Sequence, residues 1–163
     1  LTTSFAGCFR EPYNMTEQSN LRLDNVTVHV SSVQETNENG TDSIEFFTAG
    51  SYYCKNGSHF IRYTEQGEGM KEIRTTVKIE GNERVTVMRH GSEAHQIVIT
   101  KGERLHAFYH TEYGDLLLGV SGTKIHSEWS ETGGSLHLEY LLDIDNAVAS
   151  HNVLDISVRP PQS

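Results

Sequence analysis

The chain has 163 residues, 36% hydrophobic and 21% charged, with 13 lysines and arginines against 22 aspartates and glutamates, for a formal net charge of −9. That length and composition fit one globular domain and exclude a disordered or fibrous chain. The acidic balance argues against a nucleic-acid partner, and no apolar run reaches the roughly 18–20 residues that a membrane-spanning helix needs.

Residues 1–20 read as an N-terminal extension, 21–159 as the domain and 160–163 as a tail. Phe5-Ala6-Gly7-Cys8 looks like a lipobox, but the charged and apolar regions of a signal peptide are missing before it. A cytoplasmic location is therefore expected, with a lipid anchor through Cys8 as the alternative. The two cysteines, Cys8 and Cys54, are expected to be free thiols in a reducing compartment.

From there the hydrophobic period is two. Val26, Val28 and Val30 alternate with Thr27, His29 and Ser31, as in a half-buried strand. Asn39-Gly40 signals a turn, Ser43 to Thr48 a second strand, and Ala49-Gly50 a bulge. Asn56-Gly57 between two β-rich runs is a strong hairpin signal, because both turn positions need positive φ. Gln66 to Gly69 reads as a loop. Ile73, Thr75, Val77 and Ile79 share the inner face of the next strand, and Val85 and Val87 that of the one after.

Strands over Glu93 to Thr100 and Glu103 to Thr111 follow, then a long one from Asp115 to Ser127, interrupted by Gly119 and Gly122 as at a barrel corner. Leu136, Leu138, Tyr140, Leu142 and Ile144 line one face, and Leu154, Ile156 and Val158 another. No 3.6-residue stripe appears; the best helical candidate, Asp145 to His151, is short enough to be a single turn. Eight to ten short strands joined by close turns predict an antiparallel all-β fold, with glycine breaks favouring a barrel over a sandwich.

Gly50-Ser51-Tyr52-Tyr53, Tyr63-Thr64-Glu65, Val87 to Gly91, Tyr109 to Ile125 and Gly133 to Ile144 resemble, in order and spacing, the YwiB family of uncharacterised bacterial proteins. The resemblance covers roughly Asn25 to Val158. It implies a calycin-like β-barrel, related in architecture to lipocalins and fatty-acid-binding proteins, and a cytoplasmic protein. It implies no activity, since the family has none assigned.

Arg89 is the most informative residue for function. It shares strand parity with Val85 and Val87, so it points inward with them. A buried guanidinium needs a carboxylate, such as Glu65 or Glu112, or an anionic ligand. Tyr63, Tyr109 and Tyr140 are in phase with inward apolar residues, and Thr75 lies on the inner face of its strand. Arg89 with these residues therefore forms a candidate ligand-binding set for a small, partly apolar anion. Fatty-acid-binding proteins use a similar arginine–tyrosine pair, by analogy only.

Nine histidines raise the question of metal, but none forms the His-x-His pair that places two imidazoles on one strand face, so no metal or other cofactor is expected. Only a cross-strand assembly of His106, His126 and His137 is left open. Trp129 reads as a lid over one barrel end. No nucleophile elbow, phosphate loop, zinc-protease motif or Cys-x-x-Cys is present, so a non-enzymatic binding module is the leading expectation. Two alternatives stand beside it: a filled barrel that forms a homodimer through its outer face or an edge such as Val26 to Val30, and an enzyme built from His90, His110 and Glu112 at the mouth.

Overall fold

The structure, a computed structural model, describes residues 21–38, 40–66, 72–91 and 95–161, apart from the side chains of Gln66, His110 and Thr111. The expectations for residues 1–20, including the Cys8 lipobox, and for Gly67 to Gly69 lie outside the described residues.

Ten strands follow one another: β1 (Leu21–Thr36), β2 (Gly40–Lys55), β3 (Ser58–Gln66), β4 (Glu72–Glu80), β5 (Arg84–His90), β6 (His95–Thr100), β7 (Arg104–Thr111), β8 (Gly114–Ser130), β9 (Gly133–Ile144) and β10 (Ala147–Arg159). They form one sheet in the order β6-β5-β4-β3-β2-β1-β10-β9-β8-β7, every neighbouring pair antiparallel. The two halves of the meander join where β1 pairs with β10, and the ends of the sheet meet at β6 and β7. An isolated parallel bridge, Lys101 to Gly122, and a Gly102 N–H donating to the Gly122 carbonyl at 3.0 Å draw those ends into a nearly closed barrel. Gly122 permits this closure because a Cβ there would meet the Thr100 carbonyl oxygen at 2.6 Å.

Period-two patterning produces the inside and outside of the barrel. Val26, Val28, Val30, Tyr52, Ile61, Val77, Ile79, Val85, Ile99, Val120, Leu136, Leu138, Ile156 and Val158 are all buried. Each such aliphatic side chain contributes about 1.5–3 kcal/mol of transfer free energy. Register aligns them across the wall; Tyr52, Ile61, Val77, Val87 and Ile97, for example, form one continuous row.

Several expectations are corrected in detail. The runs Ser43 to Thr48 and Tyr52 to Lys55 are one strand, and the bulge lies opposite Gly50, in β1, between Leu23 and Val26. Asn25 sits there at φ 57, the left-handed region that asparagine tolerates. Val26 to Val30 is no edge: β1 is paired on both sides, and the free edges belong to β6 and β7. Asp145 to His151 holds no helical turn. Asp145 and Asn146, at φ 51 and 67, make a tight hairpin turn and Ala147 already starts β10. Cys54 is buried and disulfide-bonded, so the free-thiol expectation fails for it. The only other cysteine in the sequence, Cys8, lies outside the described residues. Asn56-Gly57 does form the expected hairpin, with φ 53 and 82.

Candidate functional site

Antiparallel register brings three of the five candidate residues side by side. Tyr63 of β3 pairs with Thr75 of β4, Thr75 with Arg89 of β5, and Arg89 with His95 of β6. Inward parity therefore places the guanidinium in a row with a phenol, a hydroxyl and an imidazole. The row runs toward the β6–β7 seam, where the His95 and Tyr109 rings meet at 5.5 Å. Tyr109 thus joins the cluster from the far side of the seam.

Arg89 is neither fully buried nor free. Its side chain is 41% exposed, and one terminal nitrogen lies 3.2 Å from Glu65 Oε1, itself 19% exposed. Of the two carboxylates the sequence offered, Glu65 is the partner; Glu112 is exposed in the β7–β8 turn. Glu65 shares the inward face of β3 with Tyr63, two residues away.

The buried Tyr63 phenol and the half-buried Tyr140 phenol both sense this charge. Burial pushes the Tyr63 hydroxyl up to about 12, helped by the Glu65 carboxylate and opposed by Arg89 and a Thr75 hydrogen bond. Burial likewise raises Tyr140, and again Arg89 opposes it, so the guanidinium lies within electrostatic reach of both. Both remain neutral donors at ordinary pH. Thr75 Oγ1 is buried beside the Tyr63 hydroxyl, within the same row. Phe46 covers Tyr63 with ring centroids 6.0 Å apart.

The seam side is apolar. Tyr109 pairs with Leu116 across the β7–β8 hairpin, and Leu118 pairs with Ile144. Leu116 and Leu118 share parity with the buried Val120, which puts this strip on the inward face. Tyr109, Leu116 and Ile144 are nevertheless each about 40% exposed, since the hairpin runs past the packed core. Charge, phenols and wettable apolar surface thus meet at one mouth. Deeper in, Val77, Val85, Leu136 and Leu138 are fully buried.

At another part of the core, Trp129 stacks on Tyr52 at 5.1 Å and on His59 at 4.9 Å, and the Tyr52 hydroxyl shares a 2.7 Å hydrogen bond with His59 Nδ1. This agrees with a covering role for the tryptophan. The histidines suggested for a cross-strand metal site are engaged elsewhere: His106 with Arg104, His126 with Glu128, and His137 with both Glu139 and Asp155. Among the described residues, no group of three or more His, Cys, Asp or Glu side chains is arranged to hold a metal ion. Of the alternative enzymatic set, His90 is exposed on the outer wall and Glu112 in a turn.

A second concave region escaped the sequence reading. On the outer wall, a groove of about 730 Å³ is lined by Arg22, Asp24, Asn25, Arg62, Arg74, Thr76 and His90, among others. Its signal was present: Arg62 and Arg74 have outward parity on adjacent strands, next to the β1 bulge.

No helix is present among the described residues, so none is long and apolar enough to cross a membrane. Comparison with known proteins accords with this architecture. The "uncharacterized beta-barrel protein YwiB" of Bacillus subtilis (strain 168) is 32% identical over 129 residues, covering 78% of this chain and 89% of that protein. The crystal structure of YwiB from Bacillus subtilis matches with a TM-score of 0.72 and 25% identity, covering 93% of this chain and all of that one. The model of a domain of unknown function, DUF1934, matches residues 28–156, and with the barrel and the relative it shows that the chain belongs to that family.

Proposed function

We propose that the protein is a non-enzymatic binding module that holds a small, partly apolar anion at the barrel mouth. The observation that supports this is the half-exposed Arg89 guanidinium, set in one row with Tyr63, Thr75 and His95, the last of which meets Tyr109 of the exposed apolar strip. A carboxylate would take the fork of Arg89, displacing Glu65 from it, while phenols donate and the strip receives the tail.

Octanoate, titrated by calorimetry, tests this reading. Arg89→Met is expected to weaken binding about tenfold or more, the usual loss for a charge-assisted contact. Glu65→Gln, which frees Arg89 from its counter-ion, is expected to tighten it. Equal octanoate affinity in the wild type and Arg89→Met, or weaker binding in Glu65→Gln, refutes the assignment.

The alternative of a homodimer through the outer face draws on a different observation. Phe108 and Leu117 pair across the β7–β8 hairpin on its outer face and are both exposed, beside the free edge of β7. Light scattering of the wild type and Phe108→Ser tests that reading.

A further inference from the structure

We infer that the outer-wall groove is a second binding site, for a small organic phosphate whose remaining body bears hydroxyl groups. Its charged residues have the opposite strand parity from Arg89, so its cations face away from the mouth, although Tyr63 and Thr75 of the mouth row also border it. Register assembles it: Ser51, Arg62 and Thr76 form one outward row, and Thr64, Arg74 and His90 the next. Arg22 joins from β1 across the bulge.

The concavity has a visible cause. The extra residue in β1, with Asn25 in the left-handed region, bends that strand away from its neighbours. Gly50, opposite the bulge, lets β2 and β3 approach: a Cβ there would strike the Arg62 carbonyl and stand 2.9 Å from Val28 Cγ2. The bend and the close approach together hollow the outer wall to about 730 Å³, within the range of small-molecule sites.

Charge selects the ligand class. The lining holds three arginines against one aspartate, and that aspartate, Asp24, is spent on Arg22 at 3.0 Å. Among the described residues neither Arg62 nor Arg74 has a carboxylate partner. In a chain of net charge −9, two adjacent uncompensated guanidiniums are a local reversal of sign. Tyr53 steadies two of the three: Arg22 and Arg62 lie 5.9 and 5.4 Å from its ring centroid. Guanidinium forks held in place match the oxygens of a phosphate better than a diffuse cationic patch does. The rest of the lining includes the hydroxyls of Ser51, Thr64 and Thr76 and the Asn25 amide, which suit the hydroxyl groups of a ligand body.

Amide chemical shifts of the full chain, followed during titration with ribose 5-phosphate, inorganic phosphate and ribose, test the inference. Ribose 5-phosphate is expected to move the amides of Asn25, Ser51, Thr64 and Thr76, to bind more tightly than inorganic phosphate, and to weaken as salt rises. Ribose is expected to move none of them. The Arg62→Gln/Arg74→Gln double variant is expected to lose affinity about tenfold or more, and Arg62→Lys/Arg74→Lys to fall between it and the wild type. Arg159→Gln, elsewhere on the surface, is expected to bind as the wild type. Any one of four results overturns the inference: no shifts at ten-millimolar ligand, binding no tighter than inorganic phosphate, equal affinity in either double variant and the wild type, or shifts centred on Arg89 and His95. The last result leaves the mouth as the only anion site, so the two readings fail separately.

Discussion

Replacing Tyr52 by phenylalanine tests the buried polar pair that the barrel encloses. Both residues are almost wholly shielded from water, and the Tyr52 hydroxyl lies 2.7 Å from His59 Nδ1. The substitution keeps the ring, and so keeps the stacks with Trp129 at 5.1 Å and with His59 at 5.9 Å. What it removes is the hydrogen bond, leaving a ring nitrogen of His59 without it in a dry setting. A buried polar atom so stranded costs about 1–3 kcal/mol. For a chain of this size that corresponds to a fall in Tm of about 2–12 °C. The assay is built into the molecule, since Trp129 is the sole tryptophan and stacks on both partners, so its fluorescence follows unfolding in urea. Tyr53→Phe is the control, because its hydroxyl makes no hydrogen bond among the described residues; it is expected to shift stability by less than about 0.5 kcal/mol. A midpoint for Tyr52→Phe equal to that of Tyr53→Phe would refute the argument that the pair stabilises the core.

Gly50→Ala is expected to destabilise the fold by about 1–3 kcal/mol in the same urea assay, since the new methyl group meets the Arg62 backbone and Val28; an unchanged midpoint would show that β2 and β3 can separate freely there. The pH dependence centres on His137, whose two ring nitrogens face Glu139 at 2.8 Å and Asp155 at 2.6 Å. Those carboxylates, the Glu139 hydrogen bond foremost, raise the imidazole above its ordinary value, and His137 in turn holds Glu139 below its own. A raised histidine stabilises fully below its unfolded value, near 6.5, and the contribution fades as pH rises through the folded one; a depressed glutamate does so above about 4.3 and fades on acidification. The Tm difference between the wild type and His137→Gln is therefore expected to be largest between about pH 4.5 and 6.5 and to shrink toward pH 9. A pH-independent difference would count against the ion-pair origin.

Much of the barrel was legible because period two is a local signal. Val26 to Val30, Leu136 to Ile144 and the Asn56-Gly57 turn each declare their conformation within a few residues. Parity likewise put Arg89 in line with Tyr63 and Thr75, a prediction that needs only strand register to become a contact. The parts that were illegible depend on residues far apart in the chain. Whether Glu65 or Glu112 meets Arg89 depends on β3 lying two strands away from β5. Glycine announces permissive backbone and so points to a bulge at Ala49-Gly50, whereas the extra residue sits in the opposing strand, at Asn25, where no glycine marks it. Cys54 looked like an ordinary buried thiol because its sequence neighbourhood carries nothing about a partner.

The two proposed anion sites differ in one respect that the arithmetic of net charge hides. Arg89 has its counter-ion within 3.2 Å, so a ligand there must compete with Glu65 and gains only the difference between two carboxylates. Its selectivity then has to come from Tyr63, Tyr140 and the apolar strip, which Glu65 cannot engage. Among the described residues no carboxylate pairs with Arg62 or Arg74, so a ligand on the outer wall would gain the full attraction of both. That attraction must act locally: at physiological salt, charges on the far wall are screened beyond about 8 Å, so the acidic remainder of the chain hardly opposes binding once contact is made. It does repel anions during approach at low salt, where screening reaches about 30 Å at 0.01 M. Raising salt from very low values should therefore speed the association of an anion with the groove even while it weakens the final complex, and that combination separates an arginine pair set in an acidic barrel from a protein that is basic throughout.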